Sequence, residues 1–167
     1  MPVSSLIRSA VFCSDIERST VFYRALGLDA VYYEGDLDPE SSQGALQVPA
    51  GSTLRCRILK RGVDAANFGM VGLFELTPLP EPLPTPAGPP RLGETALVFY
   101  AQPFMQVLTA AREAGATWSP DPITFTMPHR SQMEVCLRDP DGVLINLIDR
   151  DPAEQIRTVA VNATAPT

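Results

Sequence analysis

Hydrophobic positions change their period twice within the first thirty residues, and each change marks an element. Leu6 to Cys13 is apolar on both faces apart from Arg8 and Ser9, the pattern of a covered strand. Ile16, Val21, Phe22, Ala25 and Leu26 then recur at helical spacing. Ser14 and Glu17 read as a capping box opening this helix, and Gly27 can take the left-handed conformation that ends it. Asp29 to Tyr33 returns as a strand. From 34 to 51 the chain is acidic and rich in Gly, Ser and Pro, which predicts a mobile surface loop near the mouth of whatever the strands enclose. Thr53 to Leu59 alternates, with Leu54, Cys56 and Ile58 on one face and Thr53, Arg55 and Arg57 on the other. Val71 to Thr77 is a further apolar strand carrying one carboxylate, Glu75. The order is β-α-β-β-β.

Pro78 to Pro90 holds seven prolines in thirteen residues, a composition that cannot continue a sheet ladder and reads as a linker. The pattern then restarts. Glu94 to Tyr100 is an apolar strand. Pro103 to Ala114 is a helix with Phe104, Val107, Leu108 and Ala111 on one face and Gly115 at its end. Ala116 to Trp118, Ile123 to Thr126 and Met133 to Arg138 read as strands, with His129 in a turn. Asp139-Pro-Asp-Gly142 is a turn, since Pro140 fixes one backbone angle and Gly142 permits a positive one. Val143 to Ile148 closes the second unit, and Asp151 to Thr167 reads as a tail. The expected organisation is one domain over 1–167: module one at about 6–78, a linker at 78–90, module two at about 92–150, and the tail.

Composition narrows the function. A formal net charge of -6, with scattered Lys and Arg, gives no broad positive field for nucleic acid. No apolar run is long enough for a membrane span, and MPVSSLIRSAVF lacks the layout of a secretory signal, so a soluble, cytoplasmic protein is expected. Cys13, Cys56 and Cys136 are widely separated and read as small buried hydrophobes rather than a zinc or disulfide framework. With His129 the single histidine, chemistry would lean on carboxylates, Arg, Tyr, Cys or backbone.

The run SAVFCSDIERSTVFYRALGL, the piece GLFELTP, the restart LGETALVFYA and the ending RDPDGVLINLID together resemble the vicinal oxygen chelate superfamily, which includes glyoxalase I, bleomycin-resistance and fosfomycin-resistance proteins and extradiol dioxygenases. The resemblance covers about Leu6 to Arg150. It implies an α+β fold of two βαβββ modules forming a cupped, eight-stranded mixed sheet around a small-molecule cavity, and a homodimer. By motif matching, the four positions where relatives hold a metal fall on Arg8, Glu75, Glu94 and Asn146.

Only Glu75 matches the residue that relatives hold at its position. An arginine has no lone pair for a metal. If the matching holds, Arg8 faces Glu75 and Glu94 across the cavity floor, and the ion pair replaces the ion. No cofactor is then expected, although two carboxylates plus waters could hold Mg2+ or Mn2+. The favoured reading is a bleomycin-resistance-like protein that binds a small organic molecule through Arg8, Glu75, Glu94 and Asn146. The alternative is an enzyme, a lyase, isomerase or dioxygenase, with Glu75 or Glu94 as catalytic base or in a reduced metal site. The same residues could equally form a satisfied ionic network with no chemical task. Arg55 and Arg57 point either into the cup or to solvent, and the aromatic residues read as packing.

Overall fold

The computed structural model of the chain describes residues 4–79, 86–128 and 130–153; His129, part of the Pro-rich linker and most of the expected tail lie outside the described residues. Module one consists of β1 (Arg8–Cys13), α1 (Ile16–Ala25), β2 (Ala30–Leu37), α2 (Pro39–Leu46), β3 (Thr53–Lys60) and β4 (Met70–Thr77). Module two consists of β5 (Ala96–Ala101), α3 (Phe104–Glu113), β6 (Ile123–Met127), β7 (Arg130–Arg138) and β8 (Leu144–Asp149). The architecture is α+β, with eight strands in two four-stranded mixed sheets of order β1-β4-β3-β2 and β5-β8-β7-β6. The first strand of each module is an edge strand, parallel to the module's last strand.

Both main helices end in the same way, and the glycine is the reason. At Gly27 and Gly115 φ is 97° and 102°, a region that disfavours residues with a Cβ. The chain can therefore turn back, so that the Leu28 amide donates to the Tyr23 carbonyl and the Ala116 amide to the Ala111 carbonyl, 3.2 Å in each case. The start of α1 differs from the expected capping box. Asp15 is the N-cap and accepts from the Arg18 amide at 2.9 Å, whereas Ser14 and Glu17 are directed elsewhere. The Ile16 amide, another donor without an intrahelical partner, is met by Glu75 Oε2 at 2.6 Å. A β4 side chain thus caps the helix that crosses its sheet.

The 34–51 segment also departs from expectation. Strand β2 runs on to Leu37, and α2 follows, with Asp38 accepting from the Ser41 amide at 2.8 Å, Pro39 in the first turn, and Gln47 in the left-handed conformation at the end. With only Ser42 buried, α2 carries no apolar stripe for a periodicity argument to find. Trp118 makes a single bridge to Arg138 rather than a strand, and β7 begins at Arg130.

The two modules share one core. Val11, Cys13, Ile16, Phe22, Tyr23, Leu59, Val71 and Leu73 of module one pack in a single cluster with Ala101, Phe104, Leu108, Val135, Leu137, Ile145 and Leu147 of module two. The helix-covered faces of both sheets therefore look inward, with α1 against α3. Two polar links cross the same boundary. The Tyr23 hydroxyl donates to Asp139 Oδ2 at 3.0 Å, and Asp141 accepts from the Ser14 amide, the Ser14 hydroxyl and the Arg18 guanidinium. Asp139 also accepts the Asp141 and Val143 amides, which closes the turn, and burial raises its pKa from the ordinary value. Burying one Leu- or Phe-sized side chain is worth about 1.5–3 kcal/mol, and a single hydrogen bond about 0.5–1.5 kcal/mol net. The apolar cluster therefore supplies the strength, and the aspartates set the alignment.

Arg55 and Arg57 point to the helix side. Arg57 is 8% exposed and donates to Glu17, Glu34 and the Thr20 hydroxyl, while Arg55 pairs with the same two glutamates. The arginines hold both carboxylates below their ordinary pKa of 4.5, chiefly through the hydrogen bonds from Arg57. A carboxylate with a depressed folded-state pKa contributes stability that is complete above the unfolded value and lost as pH falls through the folded one.

Two predictions follow from these contacts. Glu75→Ala should lower unfolding stability by about 1 kcal/mol, within the range for lost helix caps, whereas Glu75→Gln keeps an acceptor oxygen and should lose less; equal losses in urea titrations would contradict the capping role. In urea titrations repeated below pH 4.5, the wild type should lose stability more steeply than a Glu17→Gln/Glu34→Gln variant, and parallel profiles would contradict the linkage.

Candidate functional site

Because the inner faces share a core, the other face of each sheet points away from it. Strand alternation assigns Arg8, Ala10 and Phe12 of β1, Gly72 and Phe74 of β4, and Cys56 and Ile58 of β3 to module one's outer face. Val48 and Leu37 pack over the centre of this face, together with Leu54, Cys56, Ile58, Met70, Phe74 and Leu76. The β1 margin stays open, with Arg8, Ala10 and Phe12 all exposed. Module two's outer face carries Ala96, Val98 and Tyr100 of β5, Asn146 and Ile148 of β8, Glu134 and Cys136 of β7, and Phe125 of β6. Val98 is 57% and Phe125 45% exposed.

The four residues expected around one cavity are not brought together within the chain. Arg8 and Asn146 lie on the two outer faces, on opposite sides of the shared core. Glu75 belongs to the inner face, aligned with Cys13, and its carboxylate holds the Ile16 amide. Glu94 precedes β5 and accepts from Arg138 Nη2 and the Arg91 amide, both at 2.8 Å. Hydrogen bonding from Arg138 is the main cause of the lowered Glu94 pKa. The expected bridge of Arg8 between Glu75 and Glu94 is therefore not formed. Glu75 follows Phe74 of the outer face by one strand position, and neighbouring strand positions face opposite sides.

The internal symmetry identifies the equivalent positions. Cys13 and Ala101 end the first strand of each module, so Arg8 corresponds to Ala96. Across the ladder Ala10 pairs with Gly72, and Val98 pairs with Asn146, so Gly72 corresponds to Asn146. The equivalent quartet on the two outer faces is thus Arg8, Gly72, Ala96 and Asn146. These residues do not fit a divalent metal, because they offer one amide oxygen and a guanidinium that would repel the ion. Among the described residues no group of three or more His, Cys, Asp or Glu is placed to hold a metal. A side chain at position 72 would also collide with Phe74, whose ring carbon stands 2.9 Å from the place of a Cβ, with Arg8 Cδ 3.7 Å from the same point. Arg8 would meet that Cβ at ordinary contact distance.

Sequence reasoning missed Gly72, Ala96, Arg138 and the interhelical aspartates. Arg138 had a signal, as a cation ending an apolar strand. It is fully buried and donates to the Gly88, Pro89 and Gly142 carbonyls as well as Glu94, fastening the end of the Pro-rich segment to β7. A cavity of about 260 Å³ lies beside it, lined by Pro86, Glu94, Asp141 and Leu144 among others. Cys13 and Cys56 are buried, as expected, and burial raises both thiols, Cys13 to about 12; Cys136 is only partly buried, beside Asn146 on the outer face.

No protein-family model matches the chain, and no curated protein matches its sequence. Solved structures do match. A glyoxalase family protein from Bacillus cereus superposes with a TM-score of 0.70 at 14% identity, over 89% of this chain and 97% of that one. A glyoxalase family protein from Enterococcus faecalis gives 0.56 at 19% identity, over 89% and 100%. A glyoxalase I mutant from Zea mays gives 0.56 at 16% identity, over 87% of this chain and 44% of that one. With two βαβββ modules and these neighbours, the chain has the fold of the glyoxalase family proteins.

Proposed function

We propose that the protein binds a small organic molecule, without a metal, in a cup completed by two copies of the chain. The observation that carries this reading is the back-to-back packing of the modules through α1 and α3, which leaves each chain with two half-cups facing outward. Each half is incomplete alone. Module one supplies a cation and an aromatic margin in Arg8 and Phe12, and module two supplies Val98, Phe125, Tyr100 and the amide of Asn146. Pairing module one of one copy with module two of another brings these groups around one cavity and covers apolar surface that water would otherwise wet. Glu75 and Glu94 are committed to the Ile16 amide and to Arg138, and this reading gives them no catalytic part.

Sedimentation at micromolar concentration tests the pairing. The wild type should sediment as a dimer, and Val98→Asp/Phe125→Asp should weaken association at least about tenfold, the cost of burying charge at an apolar contact. A monomeric wild type would contradict the reading.

A further inference from the structure

Arg8 is exposed, and among the described residues it pairs with no carboxylate. Its side chain nevertheless has a defined course. The Cδ lies beside Gly72, and its charge reaches Cys56, where it opposes the effect of burial on the thiol. The Phe74 ring leans over Gly72 from the other direction. Phe74 also packs on Phe12, with ring centroids 5.6 Å apart at an interplanar angle of 34°, and Phe12 is 48% exposed. Cation and half-exposed ring therefore lie on one open margin, the β1 edge equivalent to β5 of the second module.

A guanidinium offers two parallel N–H donors that match both oxygens of a carboxylate. Beside it, an aromatic surface with one ring half exposed can take the face or edge of a flat apolar group. On the paired-cup reading, we propose that the cup is specific for a carboxylic acid with an aromatic body, its carboxylate on Arg8 and its ring on Phe12, which the buried Phe74 backs. Asn146 of the second copy faces this acid from module two and can donate to a carboxylate oxygen. With a formal net charge of -6 the protein does not attract anions at long range, so recognition rests on these local contacts.

Fluorine NMR titrations of the full chain with 4-fluorobenzoate, 4-fluorobenzyl alcohol and 4-fluorobenzylamine separate the possibilities. The acid should bind at least about tenfold more tightly than the alcohol or the amine, as a charge-assisted bidentate contact requires. Arg8→Met should remove that preference, Arg8→Lys should restore part of it, and Phe12→Ala should weaken acid and alcohol alike. Equal binding of acid and alcohol, or an unchanged preference in Arg8→Met, would overturn the ligand class while leaving the cup. No binding of any probe to a dimeric wild type would overturn both. If Arg8→Met instead weakens dimerisation and leaves the acid's affinity intact, Arg8 serves the contact between copies, through a carboxylate such as Glu134, and the proposal fails.

Discussion

The packing of α1 on α3 beneath two sheets determines where every other feature of the molecule can be. Phe22, Tyr23, Phe104 and Leu108 lie in that layer, and each sheet packs one of its faces against it. Once those faces are buried, the remaining faces must point outward and away from each other. The Asp-Pro-Asp-Gly turn fixes the alignment, since Asp139 takes the Tyr23 hydroxyl and Asp141 reaches the start of α1. A turn in module two thereby orients a helix in module one. Removing that alignment would alter which residues of the outer faces can meet a second copy.

The chemistry follows from the same geometry. In the equivalent quartet, Gly72 carries no side chain and Ala96 a single methyl, and Arg8 Cδ lies beside Gly72. A permanent cation on a side chain differs from a divalent ion, because it brings N–H donors of fixed geometry and no open coordination position. Such a centre can recognise a carboxylate and orient it. It cannot act as a Lewis acid or generate a metal hydroxide, which is why the proposed function is binding.

Element order and type were legible because they depend on local signals. The 3.6-residue spacing of α1, the glycines at 27 and 115, and the Asp-Pro-Asp-Gly turn each act within a few residues. The fold followed from their sequence. The site was less legible because it depends on parity and on tertiary direction. Glu75 looks like a cavity residue in the motif, yet one position along a strand exchanges the cup for the core. Glu94 was expected to face Arg8, but its partner is Arg138, 44 positions away. Helix α2 was hidden because its stability comes from caps at Asp38 and Gln47 rather than from an apolar stripe. Arg8 and Asn146 were expected around one cavity floor, and periodicity could not tell that their faces belong to opposite sides of one chain.

The central claim is that each cup is shared between two chains, and mixed dimers test it most directly. Arg8→Met damages module one's face, and a bulky Asn146→Phe fills module two's face, so each variant alone should lose binding of 4-fluorobenzoate. After equal amounts are unfolded and refolded together, half of the dimers formed at random are mixed, and each mixed dimer has one undamaged cup in two. About a quarter of the wild-type sites should then return. If each chain instead builds its own cavity, every cavity in the mixture carries one damaged face and no binding returns, which would contradict the account.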